Sequence, residues 1–289
     1  MKRIGSLACV LVIGAAACGP SGGGGGGNSA DAATASGGDA SGGTGSDSGT
    51  GSGGGGGTSY TVYAHSDHVL YSIDLATRNL VTIGAFDTTD VMTDLAVAPN
   101  GTIYLVSYYS LFTASPVDAH VTRVGSLSTC GQQGVALTTT DDGRMWVADY
   151  MGAICEVDLS GGTPVVKPPV TIQDGLALSG DMVGIGNGTV FGTAYRLDDT
   201  TTETDNLLIQ VDVATGAVTQ LGATGYPRLY GAAFQQNKVF GFTHDGSGRV
   251  VTMDTTTGQG TMFGTFTDPA TNMGIKFAGA GVNSLVVLQ

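Results

Sequence analysis

An internal repeat is the feature that most constrains the fold of this chain. Short apolar segments that end in Asp recur at residues 70–74, 208–212 and 250–254. Further short segments end in Gly at Gly84, Gly125, Gly222 and Gly264. Within the first and last pairs, these glycines lie about 40 residues apart, the length of a unit of four short strands. No stretch keeps a helical apolar period, so the pattern predicts an all-β repeat protein.

The ends of the apolar segments carry a turn motif. Asp-x-x-Thr-Gly stands at residues 212–216 and 254–258, and near copies begin at Asp74 and Asp158. An Asp side chain accepts backbone N–H groups at the start of a turn, and Gly supplies the positive φ that the turn needs. We therefore assign these aspartates to hairpin turns.

The repeat length predicts a β-propeller of about five four-stranded blades. Two enlarged units fill the gap between Gly125 and Gly222, and a sixth blade stays open if residues 173–225 contain half a blade. Residues 60–84 and 265–289 together have the length of one blade. We therefore expect a last blade shared between the N- and C-terminal ends, an arrangement that removes exposed sheet edges.

One segment carries a resemblance to known repeats. Residues 94–104 read Asp-Leu-Ala-Val-Ala-Pro-Asn-Gly-Thr-Ile-Tyr. This segment resembles the repeats of PQQ-like, YVTN-like and NHL-like propellers. The resemblance extends over residues 59–289 and implies the propeller architecture, without implying an activity.

The N-terminus has the features of an export signal. Lys2 and Arg3 precede an apolar segment, residues 4–17, that is too short to span a bilayer. The junction Ala-Ala-Ala-Cys-Gly at residues 15–19 resembles a lipobox, which implies a signal peptide over residues 1–17 and a lipid on Cys18. An ordinary cleavage site after Ala17 is the alternative. By resemblance to enterobacterial sorting, Gly19 favours the outer membrane, so we expect a lipid-anchored protein of the cell envelope.

A low-complexity segment follows the lipobox. Residues 18–58 are mostly Gly, Ser, Ala, Asp and Thr, which bury too little apolar surface to offset the entropy of ordering. We predict a disordered tether here and a folded domain over residues 59–289. The net charge of −13 and the absence of a basic stripe exclude nucleic acid as a partner.

Polar residues stand at the predicted starts of the innermost strands, which face the mouth of a propeller channel. They are Asp94, Gln133, Asp174 and Asn272. Their oxygen atoms suit calcium or a small polar ligand. A water-filled channel with a polar lining is the alternative.

Two further groups have side chains suited to metal or redox chemistry. His65, Asp67 and His68 carry side chains that suit Zn²⁺ or Cu²⁺ as ligands, although no further ligand is visible in the sequence, and a solvated turn is the alternative. Cys130 and Cys155 are the two cysteines of the predicted domain, and an even number in an oxidising envelope favours a disulfide.

The sequence favours a binding module over an enzyme. It shows no nucleophile with a base and no paired acids, and Tyr108, Tyr109 and Tyr150 stand near predicted turns. We therefore expect a non-enzymatic propeller that presents a surface to an envelope protein, a glycan or a small ligand. The alternative is a metal-dependent hydrolase or oxidoreductase with its site at the channel mouth, for which Asp94 and Asp174 are the available carboxylates.

Overall fold

The computed structural model describes residues 61–127, 130–131, 133–186, 188–198 and 205–283. The chain divides into two units, Met1–Gly55 and Gly56–Gln289, and all described residues belong to the second. The expected signal peptide, Cys18 and the whole tether to residue 58 therefore lie outside the described residues. The described part contains twenty-one strands and no helix, hence none that could cross a membrane.

The strands form five antiparallel sheets, which we call blades 1 to 5. Blade 1 contains β1 (Val62–His65), β2 (Val69–Asp74) and β3 (Asn79–Ala85). Blade 2 contains β4 (Met92–Val97), β5 (Ile103–Ser107), β6 (Ser110–Ala114) and β7 (Val121–Ser126). Blade 3 contains β8 (Gly134–Thr139), β9 (Met145–Asp149) and β10 (Ala153–Asp158), with an outer strand in two pieces, β11 (Val165–Val166) and β12 (Val170–Thr171).

The remaining strands follow the same order along the chain. Blade 4 contains β13 (Leu176–Gly186), β14 (Thr189–Arg196), β15 (Leu207–Asp212) and β16 (Val218–Ala223). Blade 5 contains β17 (Leu229–Gln235), β18 (Lys238–Thr243), β19 (Arg249–Met253) and β20 (Gly260–Thr265). The last strand, β21 (Gly279–Gly281), pairs with β1 in blade 1.

The prediction of an all-β propeller with five four-stranded blades is confirmed. The innermost strands β4, β8, β13, β17 and β21 contact one another in sequence around an axis, and β21 also contacts β4. The sixth blade that the sequence left open is absent from the described residues, because residues 173–225 contain the single blade 4, whose first strand is eleven residues long.

The hydrophobic core consists of five clusters, each between two neighbouring blades. Ile73 of blade 1, for example, shares a cluster with Phe242 of blade 5 and with Phe277 near the C-terminal end. Full burial of such a side chain stabilises a fold by about 1.5–3 kcal/mol. Stability therefore depends on contacts between blades rather than within one sheet.

The turn motif has the role that the sequence predicts. The backbone N–H groups of Ala214 and Thr215 donate to Asp212 Oδ1 at 2.9 and 3.1 Å. Gly216, the last residue of the motif, has a φ of 72°. The turn that begins at Asp254 has the same bonds. These aspartates are structural because they satisfy N–H groups that a hairpin leaves without a strand partner.

The last innermost strand lies further along the chain than the sequence suggests. Asn272 stands at the predicted start of this strand, whereas the structure places β21 at Gly279–Gly281. The difference arises because Asp268 begins another turn of the same kind, with Asn272 at the left-handed position (φ 56°). Gly274 then forms an isolated bridge with Thr267, so the chain reaches the axis only after this excursion.

A disulfide joins Cys130 and Cys155, whose Cα atoms are 5.8 Å apart. Cys130 lies just before β8, and Cys155 lies in β10. Both are buried in the cluster between blades 2 and 3. The bond therefore fixes the start of blade 3 to its own third strand.

Candidate functional site

Four innermost strands interrupt their pairing at the same level. The register shifts lie between Met92 and Asp94 in β4, between Gly134 and Ala136 in β8, between Leu178 and Met182 in β13, and between Leu229 and Gly231 in β17. A bulge removes its extra residue from the ladder and redirects the side chain. Thr93, Val135, Ser179 and Tyr230 are such extra residues, and all four line one cavity.

This mouth cavity has a volume of about 340 Å³ and draws its lining from all five blades. Each second strand contributes one residue at or just beyond its end, and these are Asp67, Tyr108, Tyr150, Tyr195 and His244. The innermost strands and the segments before them contribute the rest, among them Thr93, Gln133, Val135, Ser179, Tyr230 and Ala278. The volume is in the range of small-molecule sites, which also occur at the mouths of barrels.

Hydrogen bonds and ring stacking position several aromatic side chains of the mouth cavity. The hydroxyl of Tyr195 donates to the carbonyl oxygen of Tyr150 at 2.6 Å. The rings of Tyr230 and His244 stack with centroids 4.5 Å apart, and His244 Nδ1 donates to the Phe277 carbonyl at 2.8 Å. Tyr108 is 41% exposed. Tyr195, Tyr230 and His244 are therefore held in position by contacts within the fold, whereas Tyr108 is open to solvent.

Beneath the mouth cavity lie two fully buried carboxyl groups, Asp94 of β4 and Asp181 of β13, which we call the axial carboxyl pair. The two groups hydrogen-bond to each other, which requires that one of them carries a proton. Burial raises the pKa of both well above the usual carboxyl range, and the charge of Asp181 raises the pKa of Asp94 further.

The axial carboxyl pair connects the innermost strands of all five blades. Asp94 accepts the N–H of Leu95 in its own strand at 2.7 Å and that of Leu137 in blade 3 at 2.6 Å. Oδ2 of Asp181 accepts the N–H of Ala232 in blade 5 and, at 3.3 Å, that of Ala280 in blade 1. Charge-assisted bonds of this kind are about twice as strong as neutral ones.

His65 lies beside the pair and is also fully buried. Its Nδ1 donates to the Ser66 carbonyl at 2.8 Å, and its Nε2 is buried without a hydrogen-bond partner. Burial lowers the pKa of His65 to about 4, so the ring is neutral at pH 7. A Cβ on Gly279 would overlap both His65 Nε2 and Asp94 Oδ1, which is why this position of β21 requires glycine.

The mouth cavity is a blind cup. Beyond the axial carboxyl pair, the innermost strands leave a space of only about 10 Å³, lined by residues such as Leu95, Met182 and Ala280. A single water molecule needs about this much room. Of the described side chains, those of the pair therefore form a floor that separates the cup from the opposite face.

The four residues that the sequence placed at the mouth do not lie together. Gln133 lines the cavity, and its Nε2 donates to the Tyr109 hydroxyl at 3.2 Å. Asp94 is in the floor. Asp174 and Asn272 are exposed, with φ of 62° and 56°, so their positions are those of turn residues. The role of the four as calcium or ligand site stays a prediction.

The three residues that the sequence offers as metal ligands, His65, Asp67 and His68, do not lie together either. His65 is buried, Asp67 lines the mouth cavity, and His68 is exposed. Within the described ranges, no group of three His, Cys, Asp or Glu side chains is placed to hold a metal ion. Zinc or copper binding by this turn therefore has no further support from the geometry.

Sequence reasoning missed Asp181, Tyr195 and His244. Asp181 carried a signal, because Ser-Gly-Asp at residues 179–181 interrupts an apolar strand. Gly180 allows the close approach to Tyr230, whose backbone a Cβ would overlap. Tyr195 and His244 had no local signal, since their positions become equivalent only when the second strands of the blades are superposed around the axis.

Comparison with known proteins shows the fold and no family. No family model matches the sequence, and no curated protein matches it. A chain of the crystal structure of a nidogen/laminin complex is similar at 10% identity and a TM-score of 0.52, over 78% of this chain and 99% of that one. The Dos1 propeller matches at 13% identity and a TM-score of 0.42, over 71% and 60%.

A third solved structure, a protein of unknown function from Bacteroides caccae, matches at 10% identity and a TM-score of 0.42, over 70% and 72%. Identities this low carry no information about ligand or activity. The likeness to the nidogen/laminin chain shows a β-propeller, a fold compatible with a non-enzymatic binding scaffold.

Proposed function

We propose that this chain is an envelope-anchored, non-enzymatic propeller lipoprotein that binds a ligand in its mouth cavity. One observation carries the binding role: tyrosines from four blades surround a preformed cup of about 340 Å³. Tyrosine combines a large apolar ring with a polar hydroxyl at little cost in conformational entropy, a combination typical of binding surfaces.

Binding is favoured over catalysis because of where the carboxyl groups lie. Asp94 and Asp181 are fully buried and already accept four backbone N–H groups, so the two carboxyl groups serve the fold. The alternative, a metal-dependent hydrolase or oxidoreductase at the mouth, needs a set of metal ligands, and the described residues offer no such group.

The binding role is tested by blocking the cup. Val135→Trp fills the mouth cavity, whereas Val165→Trp places the same side chain on an exposed outer strand and serves as the matched control. We expect a screen of small envelope metabolites and glycan fragments to identify a ligand that shifts the Met92 methyl resonance of the wild type and of the control. The same ligand should leave the Val135→Trp variant unchanged. A ligand that binds all three proteins equally would exclude the cup as the site.

The envelope anchor depends on Cys18. The lipobox-like junction at residues 15–19 supports lipidation, and the following segment supports a tether that holds the propeller away from an outer membrane. Cys18→Ser should remove the lipid mass from the purified chain and release it from the membrane fraction. A wild-type chain whose intact mass shows an unmodified Cys18 would exclude the anchor.

We also propose that β21 completes blade 1 and so closes the ring. The registered pairs Tyr63–Gly281, Ala64–Ala280 and His65–Gly279 support this shared blade. Further support comes from the apolar cluster between blades 1 and 5 and from the Ala280 N–H that donates to Asp181. Closure removes two sheet edges that would otherwise be open to pairing.

A further inference from the structure

The charges around the mouth cavity are all of one sign. Asp67 lines the wall, and none of the described lining residues is Lys or Arg. The floor directly beneath consists of the two buried carboxyl groups of the axial pair. His244, the basic side chain in this lining, stacks on Tyr230 and uses its Nδ1 to donate to the Phe277 carbonyl. A ligand with a positive charge would complement the Asp67 carboxylate.

The aromatic lining complements the same kind of ligand. Tyr108, Tyr150 and Tyr195 occupy corresponding ends of second strands in three successive blades, and Tyr230 projects from the bulge of a fourth. Aromatic rings attract cations through the negative potential of their faces, and the attraction increases when water is excluded. In blade 1 the corresponding position carries Asp67 instead of a ring.

An anion or a long chain fits this cup less well. An anion would meet the Asp67 carboxylate, and the described lining contains no Lys or Arg to offset that charge. A long apolar chain would need a channel, whereas the space beyond the floor is only about 10 Å³. The net charge of −13 also raises the local concentration of cations near the surface.

We propose that the mouth cavity binds a small organic cation, an ammonium group that carries alkyl substituents. The tyrosine rings surround the substituents, and Asp67 supplies the counter-charge at the wall. This inference rests on the proposed ligand-binding function and names the chemical class of its ligand.

The test compares two probes of the same shape. Choline carries a trimethylammonium group, and 3,3-dimethyl-1-butanol carries the uncharged tert-butyl group in its place. Each is titrated into the full chain by calorimetry, while the Met92 and Val135 methyl resonances report whether it occupies the cup. We expect choline to bind about tenfold more tightly than the alcohol. Equal affinities would overturn the inference.

Substitutions test the contributions of the Asp67 charge and of the Tyr108 ring separately. Asp67→Asn should weaken choline binding about tenfold, whereas Asp90→Asn, which removes the same charge from an exposed residue outside the lining, should leave it unchanged. Tyr108→Leu should weaken binding, and Tyr108→Phe, which keeps the ring, should restore it. An unfolding midpoint equal to that of the wild type shows that each variant is folded. Unchanged choline affinity in Asp67→Asn would overturn the inference.

The experiment also distinguishes this inference from the proposed function. If an uncharged probe such as a monosaccharide shifts the Met92 methyl resonance and choline does not, the ligand class is wrong while the binding role stands. If none of the screened compounds shifts that resonance, both the ligand class and the binding role of the cup are overturned.

Discussion

The axial carboxyl pair connects the innermost strands of the five blades through hydrogen bonds, and a shared proton allows both groups to be buried. Two acidic side chains at 0% exposure are costly to ionise together, because each charge loses water and repels the other. The shared proton removes the repulsion and lets the pair accept N–H groups from Leu95, Leu137, Ala232 and Ala280. The native state therefore binds a proton that the unfolded chain releases.

The contribution of the axial carboxyl pair to stability should consequently decrease as the pH rises above about 4, the ordinary carboxyl pKa. A group whose pKa is raised on folding stabilises the native state at low pH and loses that contribution as the pH rises through the folded pKa. Asp181→Asn removes the need for the proton, because its amide oxygen can accept from Ala232 and Ala280 and its NH₂ can donate to Asp94. Relative to the wild type, the variant should gain up to about 1.4 kcal/mol per pH unit above 4.

Urea unfolding between pH 4.5 and pH 9 measures this difference. Asp94→Asn is the informative contrast, since both Asp94 oxygens accept an N–H and an amide can replace only one acceptor. That variant should be less stable at every pH. Parallel pH profiles of the wild type and Asp181→Asn would contradict a shared proton.

His65 should have the opposite pH dependence. Its folded pKa of about 4 lies below the ordinary histidine pKa of 6.5, so its neutral ring stabilises the fold above pH 6.5 and the contribution is lost as the pH falls towards 4. The loss is about 3 kcal/mol. His65→Asn, which retains a donor for the Ser66 carbonyl, should lose less stability than the wild type between pH 7 and pH 4.5.

Because the carboxyl pair acts in the opposite direction over this pH range, the difference between variant and wild type is the quantity to measure, again by urea unfolding. His68→Asn changes the exposed histidine of the same turn and is the control, with an expected profile equal to that of the wild type. A His65→Asn profile that follows the wild type would contradict a buried neutral ring.

At the scale of elements, the strands and turns were predictable and the bulges were not. A strand that ends in Asp-x-x-Thr-Gly can be predicted from local sequence, because the Asp and Gly of residues 212–216 form the turn within five residues of chain. The bulge at residues 179–181 depends on the approach of Tyr230 from the next blade. Aromatic residues near turns pointed to Tyr108 and Tyr150, but the cup itself requires five blades in register.

The disulfide of blade 3 should contribute measurably to stability. Its two cysteines are 25 residues apart. A bond that closes such a loop lowers the entropy of the unfolded chain, which stabilises the folded state by about 3 kcal/mol. Cys130→Ala combined with Cys155→Ala should reduce the free energy of unfolding by about this amount in urea titrations. Wild type unfolded in the presence of a reductant should show the same decrease. A double variant as stable as the oxidised wild type would contradict this contribution.

At the scale of the whole molecule, the ring unites elements that are distant in the chain. Phe277, near the C-terminal end, packs its ring 5.3 Å from that of Phe242, and both share a cluster with Ile73 of blade 1. Such contacts stabilise only after the intervening blades have formed, because the loop between them must close first. Length and repeat period predict a shared blade, and the pairing of β1 with β21 supports that proposal, whereas the individual partner residues could be identified only from the three-dimensional arrangement.

A covalent link between the two ends tests the shared blade directly. Ala64 and Ala280 are Cα partners in adjacent strands and lie in the same buried cluster, so Ala64→Cys with Ala280→Cys should form a disulfide under mild oxidation. The link would close a loop around the whole ring and raise the free energy of unfolding by up to about 5 kcal/mol. Mobility on a non-reducing gel and urea unfolding report the two effects. The single variants are controls for the loss of each alanine, and reduction should return the double variant to their stability. Two free thiols after oxidation would show that β21 does not stay paired with β1, and the proposal of a closed ring would fail.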